Sequence, residues 1–304
     1  MSCGSICSAE RAEVLMELRE KAYAKLNISL DVGAKRDDGY HEMNMVMQTV
    51  SLCDELTVAQ TDDGRISARS NLRFIPSDDR NLAVKAAKVF QAAAGSEGQG
   101  LLLTLKKRIP VGAGMAGGSS DAAAVLRALN RMHGGRFSRT ELEVLAGQVG
   151  SDVAFCVAGG TALAKGRGEI LEALPPLPAC AIAICKPEFS ISTPELFRKL
   201  DSAPLRHHPD TAGILEALAR GELRAVCRRM YNVFEDVGDR RMRTVCQIKS
   251  RMLDFGALGS IMTGTGSAVF GIFSDRGAAQ AAARSLEKDY KFACVAEPVG
   301  RLPE

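Results

Sequence analysis

Apolar and polar side chains alternate through residues 14–32, where Leu26, Ile28, Leu30 and Val32 stand opposite Asn27, Ser29 and Asp31. A period of two predicts a strand with one buried face. Arg36-Asp37-Asp38-Gly39 reads as a turn, and a second extended stretch follows over 43–59. The pattern then switches to a helical period over 81–94. Residues 101–109, LLLTLKKRI, return to a breaker-free strand. A helix follows the glycine cluster at 112–118 and stops at Gly134-Gly135. Ser119 and Ser120 are good caps for it, and Asp121 falls where the helix dipole favours an acid. Ser138-Arg139-Thr140-Glu141 fits a capping box before another helix.

A proline-rich break, LPPLP at 174–178, separates the halves. The second half opens with a strand at 181–187 and continues with helical stretches near 194–200, 210–220 and 222–231. A strand over 267–273 and a helix over 277–289 close it. Strands and helices intermix without regular βαβ alternation, which predicts an α+β fold.

Composition narrows the function classes. A net charge of +3 without a basic patch interleaved with aromatics excludes an electrostatic case for nucleic acid or a membrane surface. No apolar run reaches the length of a membrane span. The polar first residues lack the basic start and apolar core of a secretion signal and are expected to be poorly ordered, with Met16 as an alternative start. Nine cysteines, odd in number and with no close C-x-x-C pair, read as reduced thiols, so a cytoplasmic location is expected. The four histidines show no zinc-site spacing, and no metal ligands are assigned.

Candidate chemistry concentrates in residues 110–130. Gly112, Gly114, Gly117 and Gly118 expose backbone amides just ahead of a helix, an arrangement suited to phosphate. The run 112–117 satisfies G-x-G-x-x-G, but it does not open the chain's first strand–helix unit, and the acid expected about 20 residues on falls in a helical segment near Glu141. A Walker A triplet is absent from the chain. A ligand-free glycine turn is the remaining alternative. The serines that follow favour phosphate, since hydroxyls there add ligands that a plain turn does not need.

The stretch PVGAGMAGGSSDA at 110–122 resembles the central motif of the GHMP kinase superfamily, which phosphorylates small-molecule hydroxyls with ATP. The first motif, AYAKLNISLDVGAKRDDGYHEM at 22–43, and the third, GSIMTGTGSAVFGIF at 259–273, are present in the same order. The resemblance implies an N-terminal nucleotide-binding domain, set at 14–172, and a ferredoxin-like C-terminal domain at 180–304, with the site in the cleft between them. Implied ligands are ATP, Mg2+ bridging its phosphates, and a small-molecule acceptor; the chain is expected to be a monomer or homodimer. Gly39-Tyr40-His41 points within the superfamily to the branch whose acceptor alcohol carries a cytidine diphosphate. Homoserine or mevalonate kinases are the alternative, and a nucleotide-binding regulator without catalysis is a third.

The residue roles follow from the same resemblance. Asp152 matches the catalytic base, although Ser151-Asp152 before an apolar run also reads as a helix cap. Lys25 matches the lysine beside that acid, although a lone strand lysine is more often a solvated edge residue. A cation there stabilises negative charge on a carboxylate and on a developing alkoxide. Asn27 would bond substrate or acid. Tyr40 would stack on the cytosine, the backbone of His41 would read its edge, Phe197 would cover its other face, and Thr193 would contact substrate. Around ATP the match places Asn81, Leu82 and Lys107 near the adenine. Pro110, Val111, Gly112, Ala113, Gly114, Met115, Ala116, Gly117, Gly118, Ser119 and Ser120 would wrap the phosphates. Thr263-Gly264-Thr265-Gly266-Ser267 would add amides facing the cleft, or form a plain turn. Pro187-Glu188-Phe189 departs from the Pro-Gly common at that place.

Overall fold

A computed structural model describes residues 16–202, 205 and 207–303. The polar segment before Met16 and the expected domain limits at residues 14 and 304 lie outside them. The first half comprises β1 (Met16–Lys35), β2 (His41–Thr61), β3 (Ile66–Ser70), α1 (Leu82–Ala94), β4 (Gly100–Lys106), α2 (Gly117–Met132), α3 (Arg139–Val149), α4 (Val153–Ala158), β5 (Thr161–Gly166) and β6 (Ile170–Ala173). The second comprises β7 (Ala181–Lys186), α5 (Thr193–Ser202), α6 (Thr211–Ala219), α7 (Leu223–Arg228), β8 (Tyr231–Asn232), α8 (Met242–Asp254), β9 (Gly259–Met262), β10 (Val269–Phe273), α9 (Arg276–Leu286) and β11 (Phe292–Ala296).

The chain is α+β, as its pattern predicts. Besides β1, the long second strand serves two neighbours: β5 pairs with Met43–Gln48 and β4 with Glu55–Thr61. The resulting order is β3-β4-β2-β1-β8, with β5 and β6 branching from β2. In the second half an antiparallel sheet runs β11-β7-β10-β9. Numbered within that sheet, the order is fourth, first, third, second, with helices between the first and second strands and between the third and fourth. That is the ferredoxin-like topology. The two halves are stitched together. β8 pairs with β1 at Ser29 and Leu30, and the segment after β11 bonds back to β2 through Ser51 N–H to Glu297 O and Val299 N–H to Thr49 O.

β1 departs from its expected half-burial. Asn27 and Ser29 are as buried as Leu26 and Ile28. Register shifts lie between Tyr23 and Lys25 and between Asn27 and Ser29. These bulges turn the intervening segment over. Ala22, Leu30 and Val32 therefore pack with Phe90 and Leu126 of the helical layer, whereas Ala24, Leu26 and Ile28 pack with Ile184 and Phe270 of the second sheet. Alternation then points Lys25 and Asn27 toward α2 and α4.

The other helix limits mostly follow their sequence signals. The Ser138–Glu141 capping box forms, and Gly134 and Gly135 take positive φ after α2. The stretch expected to be helical over 222–231 stops at Arg228, because Tyr231 and Asn232 are drawn into the pairing with β1.

Candidate active site

The glycine loop between β4 and α2 lies against the loop after β9. Gly114 has φ +75, and a Cβ there would stand 2.1 Å from the carbonyl oxygen of Thr263. Thr263 Oγ1 donates to Gly114 O at 3.3 Å, and Ala268 N–H donates to Ala113 O at 3.2 Å. Asn232, fully buried, holds the second loop in turn by donating Nδ2 to Met262 O and Gly264 O, both at 2.8 Å. The third motif is thus more than a plain turn: it braces the first loop while Gly264, Thr265 and Gly266 line the cleft.

The start of α2 corrects the expected caps. The helix begins at Gly117, its N-cap is Ala116 with φ 58, and no side chain caps it. Its first amides therefore face the loop cavity without an internal partner, which is what an anion site needs. Ser120 is buried, and its hydroxyl donates to Tyr23 O at 2.7 Å. It ties α2 to β1 instead of opening to a phosphate. Asp121 is not a solvated first-turn acid. It is buried and takes the Lys107 ammonium at 2.5 Å, and Lys107 also pairs with Asp54. Burial pushes the Asp121 carboxyl up to about 7, and its Oδ1 has no hydrogen-bond partner in the protein. The Lys107 ammonium is thereby committed below the loop.

A cavity of about 350 Å³ beside this loop gathers Asn81, Leu82, Lys107 and the whole run Pro110 to Ser119. It holds every expected nucleotide residue except Ser120. Asn81 contributes position more than a free amide: its Oδ1 accepts from Ala83 N and its Nδ2 donates to Pro76 O.

Across the loop sit the expected catalytic side chains. Lys25 is 4% exposed, which overturns the solvated-edge alternative. Its Nζ donates to Asn27 Oδ1 at 2.7 Å and stands 3.6 Å from Asp152 Oδ2. Asn27 is fixed by its own N–H, which donates to Thr263 Oγ1 at 3.0 Å, and the Lys25 N–H donates to Met115 O. Asp152 does occupy the N-cap position of α4, yet its side chain makes no capping bond. The carboxylate is left aimed at Lys25 and half open to the cleft.

The third group lies farther along the same cleft. Tyr40, 54% exposed, stands at its rim, with the Arg167 guanidinium 5.1 Å above its ring. Phe197 stacks on the His41 ring at 5.1 Å and meets Phe234 edge-on. The resemblance assigns a role to the His41 backbone alone. Its ring is also engaged, with Nε2 2.7 Å from Asp201 Oδ1. Thr193 and Thr265 share a hydroxyl hydrogen bond of 2.8 Å, joining α5 to the third motif.

One cleft of about 750 Å³ brings together Lys25, Asp152, Tyr40, His41, Thr193 and Phe197 with Gly112, Gly114, Ala116 and Ser119. Asn27 lies beneath its floor. Sequence reading missed Arg167, Phe234 and Asn232. The first two carry no local signal, whereas Asn232 follows the helical run and precedes Val233-Phe234, a pattern that reads equally as a turn. Among the described residues no group of three or more His, Cys, Asp or Glu is gathered for a metal ion.

Residues 81–160 match the family model described as the GHMP kinases N terminal domain, and residues 214–291 that of the GHMP kinases C terminal. A 4-diphosphocytidyl-2-C-methyl-D-erythritol kinase of Geobacillus sp. (strain WCH70) is 45% identical over 259 residues, covering 84% of this chain and 88% of that protein. The crystal structure of a 4-(cytidine 5'-diphospho)-2C-methyl-D-erythritol kinase superposes with a TM-score of 0.77 at 34% identity, covering 93% of this chain and all of that one. A homoserine kinase from Cytophaga hutchinsonii reaches a TM-score of 0.74 at 19% identity, covering 96% of this chain and 98% of that one; this likeness extends to the fold alone.

Proposed function

The chain belongs to the GHMP kinases and, among them, to the 4-diphosphocytidyl-2-C-methyl-D-erythritol kinases, and on that premise we propose how its cleft carries out the transfer. The reaction moves the γ-phosphoryl of ATP to the 2-hydroxyl of the cytidine diphosphate-linked methylerythritol, giving the 2-phosphate and ADP, on the non-mevalonate route to isopentenyl diphosphate. One observation carries the reading: the carboxylate of Asp152, the ammonium of Lys25 and the open N-terminus of α2 border a single cleft that also holds Tyr40 and Phe197.

Phosphoryl transfer asks a protein chiefly for positioning and charge stabilisation. The uncapped amides at Gly117–Ser119 suit the phosphate chain. The cavity along Asn81, Leu82 and Pro110 suits the adenine. Asp152 accepts the proton of the acceptor hydroxyl as its oxygen approaches phosphorus. Lys25, held by Asn27, stabilises the charge that builds on that oxygen. Tyr40 and Phe197 flank the cytosine.

Mg2+ fits this site as a passenger of the nucleotide. The described residues offer no carboxylate cage, and Ser119 and Asp152 are among the oxygen-bearing side chains that line the cleft with the loop. Such an ion would neutralise charge on the phosphates. We also read the chain as acting on small molecules in the cytoplasm.

A coupled ADP-release assay tests the reading. Turnover is expected with the cytidine-bearing alcohol and not with homoserine or mevalonate. Turnover with homoserine alone would overturn the substrate assignment and leave the kinase fold intact.

A further inference from the structure

The acceptor implied by the proposed function is a three-part molecule, with a base at one end, an alcohol at the other and two phosphates between. Aromatic side chains meet the first part and Asp152 the second. The diphosphate needs a cation placed between them. Most of the cations lining the cleft are already engaged. Lys25 is held by Asn27 and Asp152, Lys35 pairs with Asp201 at 2.9 Å, and Arg198 donates Nε to Pro194 O at 3.3 Å.

Arg167 differs. It sits in the turn that joins β5 to β6 and lines the cleft. Its guanidinium lies over the Tyr40 ring at 5.1 Å, while the adjoining Gly168 lies close to Ser151, the residue before Asp152: a Cβ on Gly168 would be 3.8 Å from Ser151 Cβ. The turn therefore touches both ends of the implied substrate path. Its carboxylate neighbour, Glu169, accepts the Arg167 main-chain N–H at 2.6 Å and reaches the guanidinium only at Nε, in a long ion pair of 4.0 Å. Among the described residues the terminal nitrogens of this guanidinium make no hydrogen bond or ion pair, and a guanidinium matches phosphate oxygens in pairs.

We infer that Arg167 binds the diphosphate of the acceptor, braced on the face of Tyr40. This rests on the proposed function for the identity of the substrate. Recognition of base and phosphate is then shared by two side chains in contact, from segments more than a hundred residues apart in the chain.

The test is steady-state kinetics on Arg167→Leu and Arg167→Lys, with cytidine and cytidine diphosphate as competing ligands. For Arg167→Leu, the KM of the cytidine-bearing alcohol is expected to rise at least about tenfold, since a charge-assisted bond to phosphate is worth more than a neutral one. Its kcat and the KM of ATP are expected to stay close to the parent's. Cytidine diphosphate should weaken as an inhibitor by a similar factor, cytidine by much less, and Arg167→Lys should recover part of the loss. If cytidine weakens as much as cytidine diphosphate, Arg167 acts only by bracing Tyr40 and the inference fails. It also fails if KM does not move. A parent enzyme that does not turn over this alcohol would refute the function instead, and calorimetric titration of cytidine diphosphate into parent and Arg167→Leu would still decide the residue.

Discussion

Around Gly114 the cleft is walled by main chain. Two loops interlock there through carbonyl and amide groups, a buried asparagine holds one of them, and no room is left for a methyl group. Around Tyr40 it is walled by side chains. Tyr40, Arg167 and Phe197 come from three separated segments, and Tyr40 stands more than half exposed. The contrast is what the proposed function asks of each side, phosphate at the first and a nucleobase at the second. Phosphate oxygens are met by amides, which every residue carries, so the requirement falls on backbone shape and therefore on glycine. A base is met by flat side chains and by groups that match its edge, so the requirement falls on residue identity at scattered positions.

The largest effect expected lies where the two sides meet. Replacing Asp152 by Asn keeps the size of the side chain and removes the proton acceptor. Turnover should fall about 10²–10⁴-fold, the usual contribution of a general base, while nucleotide binding measured by calorimetry should hardly change. A variant with near-parent turnover would detach the chemistry from this carboxylate.

Gly114→Ala strikes the main-chain side. The new methyl collides with Thr263 O, and alanine resists φ +75. A destabilisation of about 1–3 kcal/mol is expected, seen as a lower thermal midpoint, together with a raised KM for ATP. If ATP affinity and midpoint both match the parent's, the two loops do not support one another as described. Tyr40→Ala strikes the other side and should act differently. Base–aromatic stacking contributes about 1–3 kcal/mol, so the KM of the cytidine-bearing alcohol should rise roughly 5- to 150-fold by that measure. The KM for ATP and the thermal midpoint should stay near the parent's. Equal effects on both substrates would dissolve the distinction between the two sides.

The same contrast governs what could be read from the chain. The glycine loop was legible because Gly112, Gly114, Gly117 and Gly118 stand close together, and backbone shape leaves that trace in a sequence. The strand carrying Lys25 was legible by its alternation, but not the pair of bulges that turns Lys25 and Asn27 toward α4, since no residue type marks a bulge there. The resemblance supplied Tyr40 and Phe197. It did not supply Arg167, whose role depends on a turn folding back over Tyr40. Ser120 and Lys107 show what a motif leaves unsaid about its own side chains. Both adjoin the motif, yet Ser120 bonds to Tyr23 and Lys107 to Asp54 and Asp121, because buried polar groups beneath a loop must find partners within the protein.

That buried cluster yields the smallest and most specific test. Asp121 titrates at about 7 in the folded chain, against an ordinary value of 3.8. Between those values the folded protein keeps a proton that the unfolded chain has released. Unfolding therefore becomes easier, through this group, as pH rises from about 4 to about 7, and the effect levels off above that. Asparagine cannot ionise and so lacks this term. The thermal midpoint of Asp121→Asn relative to the parent should therefore shift upward between pH 5 and pH 8, whatever its starting offset from the lost contact with Lys107. A difference that stays constant across that range would mean that Lys107 already balances the charge of Asp121. The loop would then rest on a neutralised ion cluster and not on a carboxylic acid poised to lose its proton.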